Sequence, residues 1–149
     1  MQADFRSDTV TRPTQAMMQA MMQAPLGDDV LGDDPSVKLL EAYVSDLFGM
    51  EDALFCPSGT MTNQIAIKAH TQPGDELICS HLAHIYNYEG GGIAANSGVQ
   101  ARCGGDDLGR LTADDVKALI QPSGNVHLAA TRLISVENTA NKGGGSCMG

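Results

Sequence analysis

The sequence predicts an α/β fold in which a mainly parallel sheet is flanked by helices. Short apolar segments of strand length alternate with longer segments whose apolar residues recur at helical spacing. Turn sequences such as Pro73-Gly74-Asp75 separate them. This alternation favours parallel strands, because parallel neighbours are joined by a crossover that is usually a helix. In such a sheet, ligands bind beside the carboxyl ends of the strands.

The chain is predicted to begin with a methionine-rich helix and an acidic turn. Residues 13–24 carry methionines at helical spacing, which is typical of a core or a subunit interface, and Pro13 suits a first helical position. Residues 27–35 have turn composition. Paired acids in such a turn suggest either a cation site or solvated helix caps, and we assign them no metal. These acids are Asp28, Asp29, Asp33 and Asp34.

A second helix is predicted from Pro35 to about Phe48. Asp34 and Pro35 make a good N-cap and first residue, and Gly49 is placed to end the helix. Apolar residues follow one face of this helix. They are Val37, Leu40, Tyr43, Val44, Leu47 and Phe48.

The next segment has the layout of a phosphate-binding turn. A short apolar strand, residues 53–56, is predicted to lead through Ser58 and Gly59 into a helix from about Thr60 to residue 70. The first N–H groups of a helix have no intrahelical partner and lie at its positive end, so small residues there let an anion approach. Hydroxyl groups can add donors. The alternative is a tight turn in which Ser or Thr only caps the helix.

Strands and helices then alternate to the end of the chain. Residues 84–92 are predicted to be helical or looped, and Thr112 and Asp115 resemble a capping box for a helix that ends before Pro122. Three strands are predicted, at about residues 76–80, 99–103 and 132–137.

Composition narrows the class of protein. The 149 residues fit one domain with a real core, and no apolar run approaches the roughly 20 residues that a membrane helix needs. A net charge of -9 disfavours nucleic acid as a partner and fits an enzyme of small metabolites. The first ten residues lack the apolar stretch of a secretory signal, so we expect a cytoplasmic protein.

The cysteines are expected to be reduced, buried thiols. They are far apart in the sequence, without a C-x-x-C pair. Cys79, His81 and His84 have a spacing that can supply three metal ligands, but no second cluster accompanies them, so separate strand and loop roles are preferred.

Five motifs in the same order resemble the low-specificity threonine aldolases, β-hydroxy-amino-acid lyases of the fold type I pyridoxal-phosphate enzymes. Each motif is weak alone, and together they span almost the whole chain. They are Asp4-Phe5-Arg6-Ser7-Asp8-Thr9-Val10-Thr11, Gly27 to Pro35, Pro57-Ser58-Gly59-Thr60, Ala83-His84 and Glu137-Asn138-Thr139.

The resemblance implies pyridoxal 5′-phosphate as cofactor. Ser58, Gly59 and Thr60 match the family's phosphate turn, and His84 matches the histidine that stacks on the pyridine ring near the substrate hydroxyl. An imidazole suits both tasks, because it is planar and exchanges protons near neutral pH. On the residues alone, a lone histidine such as His84 is more often a packed or capping residue than a catalytic one.

Three further site residues follow from the same resemblance. Ser7 is expected to help bind the carboxylate of the amino acid, with a helix cap as the alternative. Tyr88, one helical turn after His84, can reach the same pocket or pack as a core or interface aromatic. His127 matches a second catalytic histidine, with a half-buried structural histidine as the competing interpretation.

The implied reaction cleaves threonine, allo-threonine and other β-hydroxy amino acids to glycine and an aldehyde. The family's cofactor-bearing lysine and pyridine-binding aspartate fall beyond Gly149, and the four lysines present have the setting of solvated surface charge: Lys38, Lys68, Lys117 and Lys142. We therefore expect residues 1–149 to be a truncated N-terminal part of the cofactor-binding large domain, inactive alone. The full-length protein is expected to form a homodimer or homotetramer.

Two departures and two rival functions accompany this interpretation. Leu31 replaces a tyrosine usual in the acidic turn, and Ala140 follows Thr139 where many relatives have histidine. The alternatives are another fold type I lyase or transaminase, or a non-catalytic fragment that keeps only a phosphate site. The opening motif argues against the first, and the missing lysine supports the second.

Overall fold

The computed structural model describes Asp4 and residues 7–148. Phe5 and Arg6 of the opening motif lie outside the described residues, as does Gly149. The chain divides into two compact units, Met1–Phe55 and Cys56–Gly149.

In its described residues, the first unit contains two α-helices and two short 3₁₀ helices, Asp8–Val10 and Asp29–Leu31. Helix α1 spans Gln15–Gln23. The Thr14 hydroxyl accepts the Met17 N–H at 3.3 Å and caps this helix, so Pro13 precedes the helix rather than occupying its first position.

Helix α2 spans Pro35–Phe48 and confirms the predicted bounds. The Asp34 carboxylate accepts the N–H groups of Ser36 and Val37 at 2.8 and 3.0 Å, and Gly49 ends the helix with φ 65°. The apolar face is open, however, because Phe48 is 68% exposed and no described residue of this unit is fully buried.

The predicted strand at residues 53–56 is wrong. The Phe55 N–H donates to Oε1 of Glu41 on α2 at 2.7 Å, so a helix side chain takes a backbone donor that a sheet neighbour would otherwise use. The second unit begins within this segment, at Cys56.

The second unit holds a three-stranded parallel sheet of order β2-β1-β3, which confirms the predicted fold class. Strand β1 (Glu76–Ser80) matches its prediction, β2 (Gln100–Gly104) begins one residue later than predicted, and β3 (Thr131–Ile134) is shorter. Beyond Ile134 the Ser135 N–H continues the pairing by donating to the Ile78 carbonyl at 2.8 Å.

Four helices accompany the sheet, and their bounds are α3 Gly59–His70, α4 His84–Asn87, α5 Gly92–Ser97 and α6 Ala113–Leu119. Helix α3 begins one residue before the predicted position, and the Thr112–Asp115 capping box at the start of α6 is confirmed. Helix α3 packs against α5 and β3, whereas α5 and α6 pack against β2. The core beneath α3 and α5 consists of Ile67, Leu77, Cys79, Ala83, Ile85, Ile93 and Val99.

The four cysteines are free thiols, but the expectation that all are buried is wrong. Cys79 on β1 is buried, Cys56 and Cys103 are half-buried, and Cys147 is exposed. Within the described part of the chain, no group of three His, Cys, Asp or Glu side chains is arranged to hold a metal ion. No described helix is both long and apolar enough to cross a membrane.

Candidate active site

The candidate site is built where β1 and β3 end. Strand β1 leaves the core at Ser80, and a short turn leads into α4 at His84. In this turn, both the backbone N–H and ring Nδ1 of His81 lie within 3.1 Å of the Gly104 carbonyl, which gives that histidine a structural role. The carboxyl edge of the sheet is where a parallel α/β fold places ligands.

The start of α4 is capped by a carboxylate from the segment after β3. The residue at the N-cap position, Ala83, has no side-chain cap. The His84 N–H instead donates to Oε2 of Glu137 at 2.6 Å, and Oε1 of Glu137 accepts the Asn141 N–H at 2.8 Å. Glu137, which opens the Glu137-Asn138-Thr139 motif, therefore connects the ends of two strands.

The ring of His84 is anchored at one nitrogen. Its Nδ1 lies 2.9 Å from Oε1 of Glu89, while the side chain keeps 40% of its surface exposed. The Tyr88 ring lies 5.4 Å away, centroid to centroid, at an interplanar angle of 44°. A carboxylate only accepts hydrogen bonds, so Nδ1 carries the proton of the neutral ring and Nε2 keeps its lone pair.

Glu89 is the centre of a buried polar cluster. Its side chain is 0% exposed, and it accepts hydrogen bonds from Nδ2 of Asn63 at 2.7 Å and Nε2 of Gln64 at 2.6 Å, besides His84. Burial raises the pKa of the Glu89 carboxyl, but the three hydrogen bonds outweigh it and hold the pKa below its ordinary value. Glu89 is therefore an ionised acceptor at neutral pH.

The cluster connects His84 to the N-terminal end of α3. Asn63 lies one helical turn after Gly59 and Thr60, and Oε1 of Glu89 accepts from both Asn63 and His84. Two hydrogen bonds thus fix the imidazole relative to the first turn of the helix that carries the predicted phosphate turn.

The predicted phosphate turn forms the N-terminus of α3. The Ser58 hydroxyl caps the helix by accepting the Met61 N–H at 3.2 Å. Among the residues that the structure describes, the N–H groups of Gly59 and Thr60 have no acceptor, and a Cβ built on Gly59 would meet no atom within 4 Å. Ser58 and Thr60 line an open groove of about 460 Å³ with Lys68. This geometry can receive an anion.

The structure does not bring all the predicted site residues together. Tyr88 lies beside His84 and is 56% exposed, so it is not a core aromatic. His127 is exposed in a turn that precedes β3, whereas His84 follows β1. Because β1 and β3 are parallel, the two histidines belong to opposite ends of these strands. The half-buried interpretation of His127 is wrong, and its catalytic role remains a prediction.

Ser7 lies in the first unit. Its hydroxyl accepts the Thr9 N–H at 3.2 Å and caps the 3₁₀ helix that follows, which is the alternative that the sequence left open. Its substrate-binding role remains a prediction.

Lys142 lies beside the C-terminal end of α4. Its Nζ lies 3.2 Å from Oδ1 of Asn87 and 5.6 Å from the centroid of the Tyr88 ring. The lysines at 38, 68, 117 and 142 are all exposed, as predicted.

Sequence reasoning missed Glu89, Asn63 and Gln64. A signal was present, because Glu89 is the only Asp, Glu, Lys or Arg in the sequence between Glu76 and Arg102. A single acid in so uncharged a segment, five residues after a histidine, indicates a paired internal carboxylate.

Comparisons with known proteins found a matching family model and related sequences. The family model described as beta-eliminating lyase matches residues 4–149. The chain is 46% identical over 141 residues to the low specificity L-threonine aldolase of Escherichia coli (strain K12), covering 93% of this chain and 41% of that relative. It is 43% identical over 148 residues to the low-specificity L-threonine aldolase 1 of Arabidopsis thaliana, covering 97% and 41%.

A solved structure agrees with the fold. The threonine aldolase of Leishmania major superposes with a TM-score of 0.69 at 25% identity, over 84% of this chain and 36% of that one. The chain thus spans about two fifths of the length of the curated relatives it matches.

Proposed function

The chain belongs to the β-eliminating lyase family, and we propose that residues 1–149 are the N-terminal part of the cofactor-binding large domain of a pyridoxal-phosphate-dependent aldolase. The proposed reaction cleaves threonine, allo-threonine and other β-hydroxy amino acids to glycine and an aldehyde. The names of the relatives support it, and so does the order of the five sequence motifs.

One observation carries the proposal: a half-exposed imidazole is held at Nδ1 by a buried carboxylate, close to an open helix N-terminus. A retro-aldol cleavage needs a base for the β-hydroxyl proton. With Nδ1 bound to Glu89, Nε2 of His84 is the nitrogen that can take that proton, and His127 or a held water is the second candidate.

The residues present fit the cofactor at its phosphate and at its ring. Gly59 and Thr60 offer two N–H groups without a protein acceptor, the space around Gly59 is open, and Ser58 and Thr60 add hydroxyls. His84 offers a planar ring for stacking, and Tyr88 lines the same place. When bound, pyridoxal phosphate supplies an electron sink for the breaking Cα–Cβ bond.

The test is an assay of the protein that carries this chain over its complete reading frame. Incubated with pyridoxal phosphate and L-threonine or L-allo-threonine, it is expected to release glycine and acetaldehyde in equal amounts, with acetaldehyde followed through NADH oxidation by alcohol dehydrogenase. The 149-residue chain alone is expected to release neither product.

Other outcomes would favour the rival functions. Formation of a 2-oxo acid in the presence of an amino acceptor would replace the aldolase with a transaminase. Absence of both products, together with absence of a protein-bound pyridoxal absorbance band, would leave a non-catalytic phosphate-binding protein. A homodimer or homotetramer and a cytoplasmic location remain predictions, to be checked by light scattering and fractionation.

A further inference from the structure

We propose that Glu89 is a positioning residue for His84: its buried carboxylate holds the neutral imidazole in the Nδ1–H tautomer and thereby keeps Nε2 free as the proton acceptor. The proposal rests on the aldolase function above for its consequence in catalysis. Its structural part, the tautomer, is independent of that function.

The hydrogen-bond directions around Glu89 support this role. Asn63 Nδ2 and Gln64 Nε2 are donors that cannot accept, and they already point at the carboxylate from α3. The remaining lone pairs face His84 Nδ1 at 2.9 Å. Because an ionised carboxylate has no proton to donate, the ring nitrogen in this position must donate.

The orientation of the Gln64 amide is fixed from its other side. Its Oε1 accepts Nδ2 of Asn96 at 3.1 Å, so its NH₂ group must face Glu89. Gly92 leaves the room for this arrangement, since a Cβ there would lie 2.6 Å from Cδ of Gln64. Donors contact both carboxylate oxygens, so the NH₂ group of a glutamine at position 89 would lie against at least one of them.

Burial makes it costly to leave a donor at Glu89 without an acceptor. The Glu89 side chain is 0% exposed, so water cannot replace a lost partner, and an unsatisfied buried donor costs about 1–3 kcal/mol. His84 is 40% exposed, so its ring can respond by changing tautomer. The Gln64 amide is fixed by Asn96, so in Glu89→Gln the amide oxygen is expected to stay with Gln64 at the place of Oε2. The new NH₂ group then takes the place of Oε1, which both Asn63 and His84 face. Asn63 can turn its amide oxygen toward it, and the ring responds by favouring the Nε2–H tautomer.

The experiment is long-range ¹H–¹⁵N correlation of the histidine rings in the ¹⁵N-labelled 149-residue chain at about pH 8, where neutral imidazole dominates. The His84 signals are assigned by their loss in His84→Gln. The wild type is expected to show Nδ1–H at His84, and Glu89→Gln to shift the population toward Nε2–H. Glu51→Gln removes an exposed carboxylate and is the matched control, with no expected change.

An Nε2–H tautomer in the wild type would overturn the proposal, whatever the variants do. An unchanged tautomer in a folded Glu89→Gln would overturn it as well. If Glu89→Gln does not fold, Glu89→Asp keeps the charge and is expected to retain Nδ1–H; loss of Nδ1–H in a folded Glu89→Asp would count against a carboxylate-held tautomer.

Catalysis gives a separate readout. In the protein that carries the complete reading frame, Glu89→Gln is expected to lower kcat at least about tenfold with little change in KM, because the effect falls on the proton acceptor rather than on binding. If the wild-type protein cleaves no β-hydroxy amino acid, the proposed function fails while the tautomer result stands. If cleavage is normal in Glu89→Gln, the positioning role fails and the proposed function stands.

Discussion

The backbone N–H of His84 lies 2.6 Å from Oε2 of Glu137, so a carboxylate after β3 caps the helix that follows β1. This hydrogen bond connects the segments that follow two neighbouring parallel strands, at the edge of the sheet that carries the candidate site. Glu89 fixes the imidazole ring, and Glu137 fixes the backbone that carries it.

Removal of the Glu137 carboxylate should loosen α4 rather than the whole sheet. Glu137→Ala leaves two N–H groups, those of His84 and Asn141, without their acceptor. Hydrogen bonds to charged groups contribute about 1.5–3 kcal/mol, so we expect a comparable loss in unfolding free energy and faster hydrogen exchange at the His84 amide. Glu137→Gln, which keeps one acceptor oxygen, should lose less. Equal exchange rates in wild type and Glu137→Ala would contradict the capping role.

Replacement of Gly59 by proline should weaken phosphate binding without unfolding α3. Proline suits the first helical position and removes one N–H, and Ser58 has the extended conformation (φ -151°, ψ 150°) that a residue before proline needs. Gly59→Ala keeps the N–H and fits the open space.

The measurement is a ³¹P NMR titration with pyridoxamine 5′-phosphate, whose amine does not condense with lysine. Gly59→Pro is expected to lose about tenfold in affinity, the equivalent of about 1.4 kcal/mol for one donor to an anion. Gly59→Ala is expected to bind like the wild type. Equal affinity of the proline and alanine variants, with equal helix content, would remove this N–H from the phosphate site.

Glu76 is expected to be a major source of stability for the sheet. This fully buried residue of β1 accepts hydrogen bonds from Gln100 and Arg102 on β2 and from Thr131 on β3. Glu76→Ala leaves these donors unpaired, so we expect a loss of about 3 kcal/mol in urea unfolding. The exposed Glu51→Ala should stay within about 0.5 kcal/mol of the wild type. Coincident midpoints for Glu76→Ala and wild type would refute the prediction.

Stability should depend on pH through Glu89. The pKa of its carboxyl is lower in the folded protein than in the unfolded chain, where it has the ordinary value of 4.5. The unfolded state therefore binds the proton first, and the stabilisation is complete above that value and is lost as pH falls through the lower folded pKa.

The contribution of Glu89 is measured as the difference in unfolding free energy between wild type and Glu89→Gln. Hydrogen bonds also lower the pKa of Asp34, Asp106 and Asp115, and these groups titrate alike in wild type and Glu89→Gln. The difference in unfolding free energy between the two proteins should therefore shrink as the pH falls below the ordinary pKa of the carboxyl. A difference independent of pH down to pH 2 would contradict the lowered pKa.

Local sequence was sufficient for the elements whose ends are encoded nearby. Asp34, Pro35 and Gly49 set the bounds of α2, and the Thr112–Asp115 pair sets the start of α6, because a cap satisfies backbone groups within one turn. The prediction of a strand at residues 53–56 was wrong because a strand depends on residues elsewhere in the chain. Its apolar pattern was correct, but a strand needs a partner, and Glu41 takes the Phe55 N–H instead.

The sequence by itself determined the α/β class and the helix that begins after Ser58, and through its motifs it predicted a phosphate turn at Ser58-Gly59-Thr60 and a role for His84. Only the tertiary structure decided what holds His84. Asn63 and Glu137 are distant from it in sequence, and they reach Glu89 and His84 only when α3, α4 and the end of β3 pack together. The isolated charge of Glu89 in its segment suggests a buried acid, but not which donors surround it. A buried charge persists only where donors converge on it, and that convergence is a property of the folded chain.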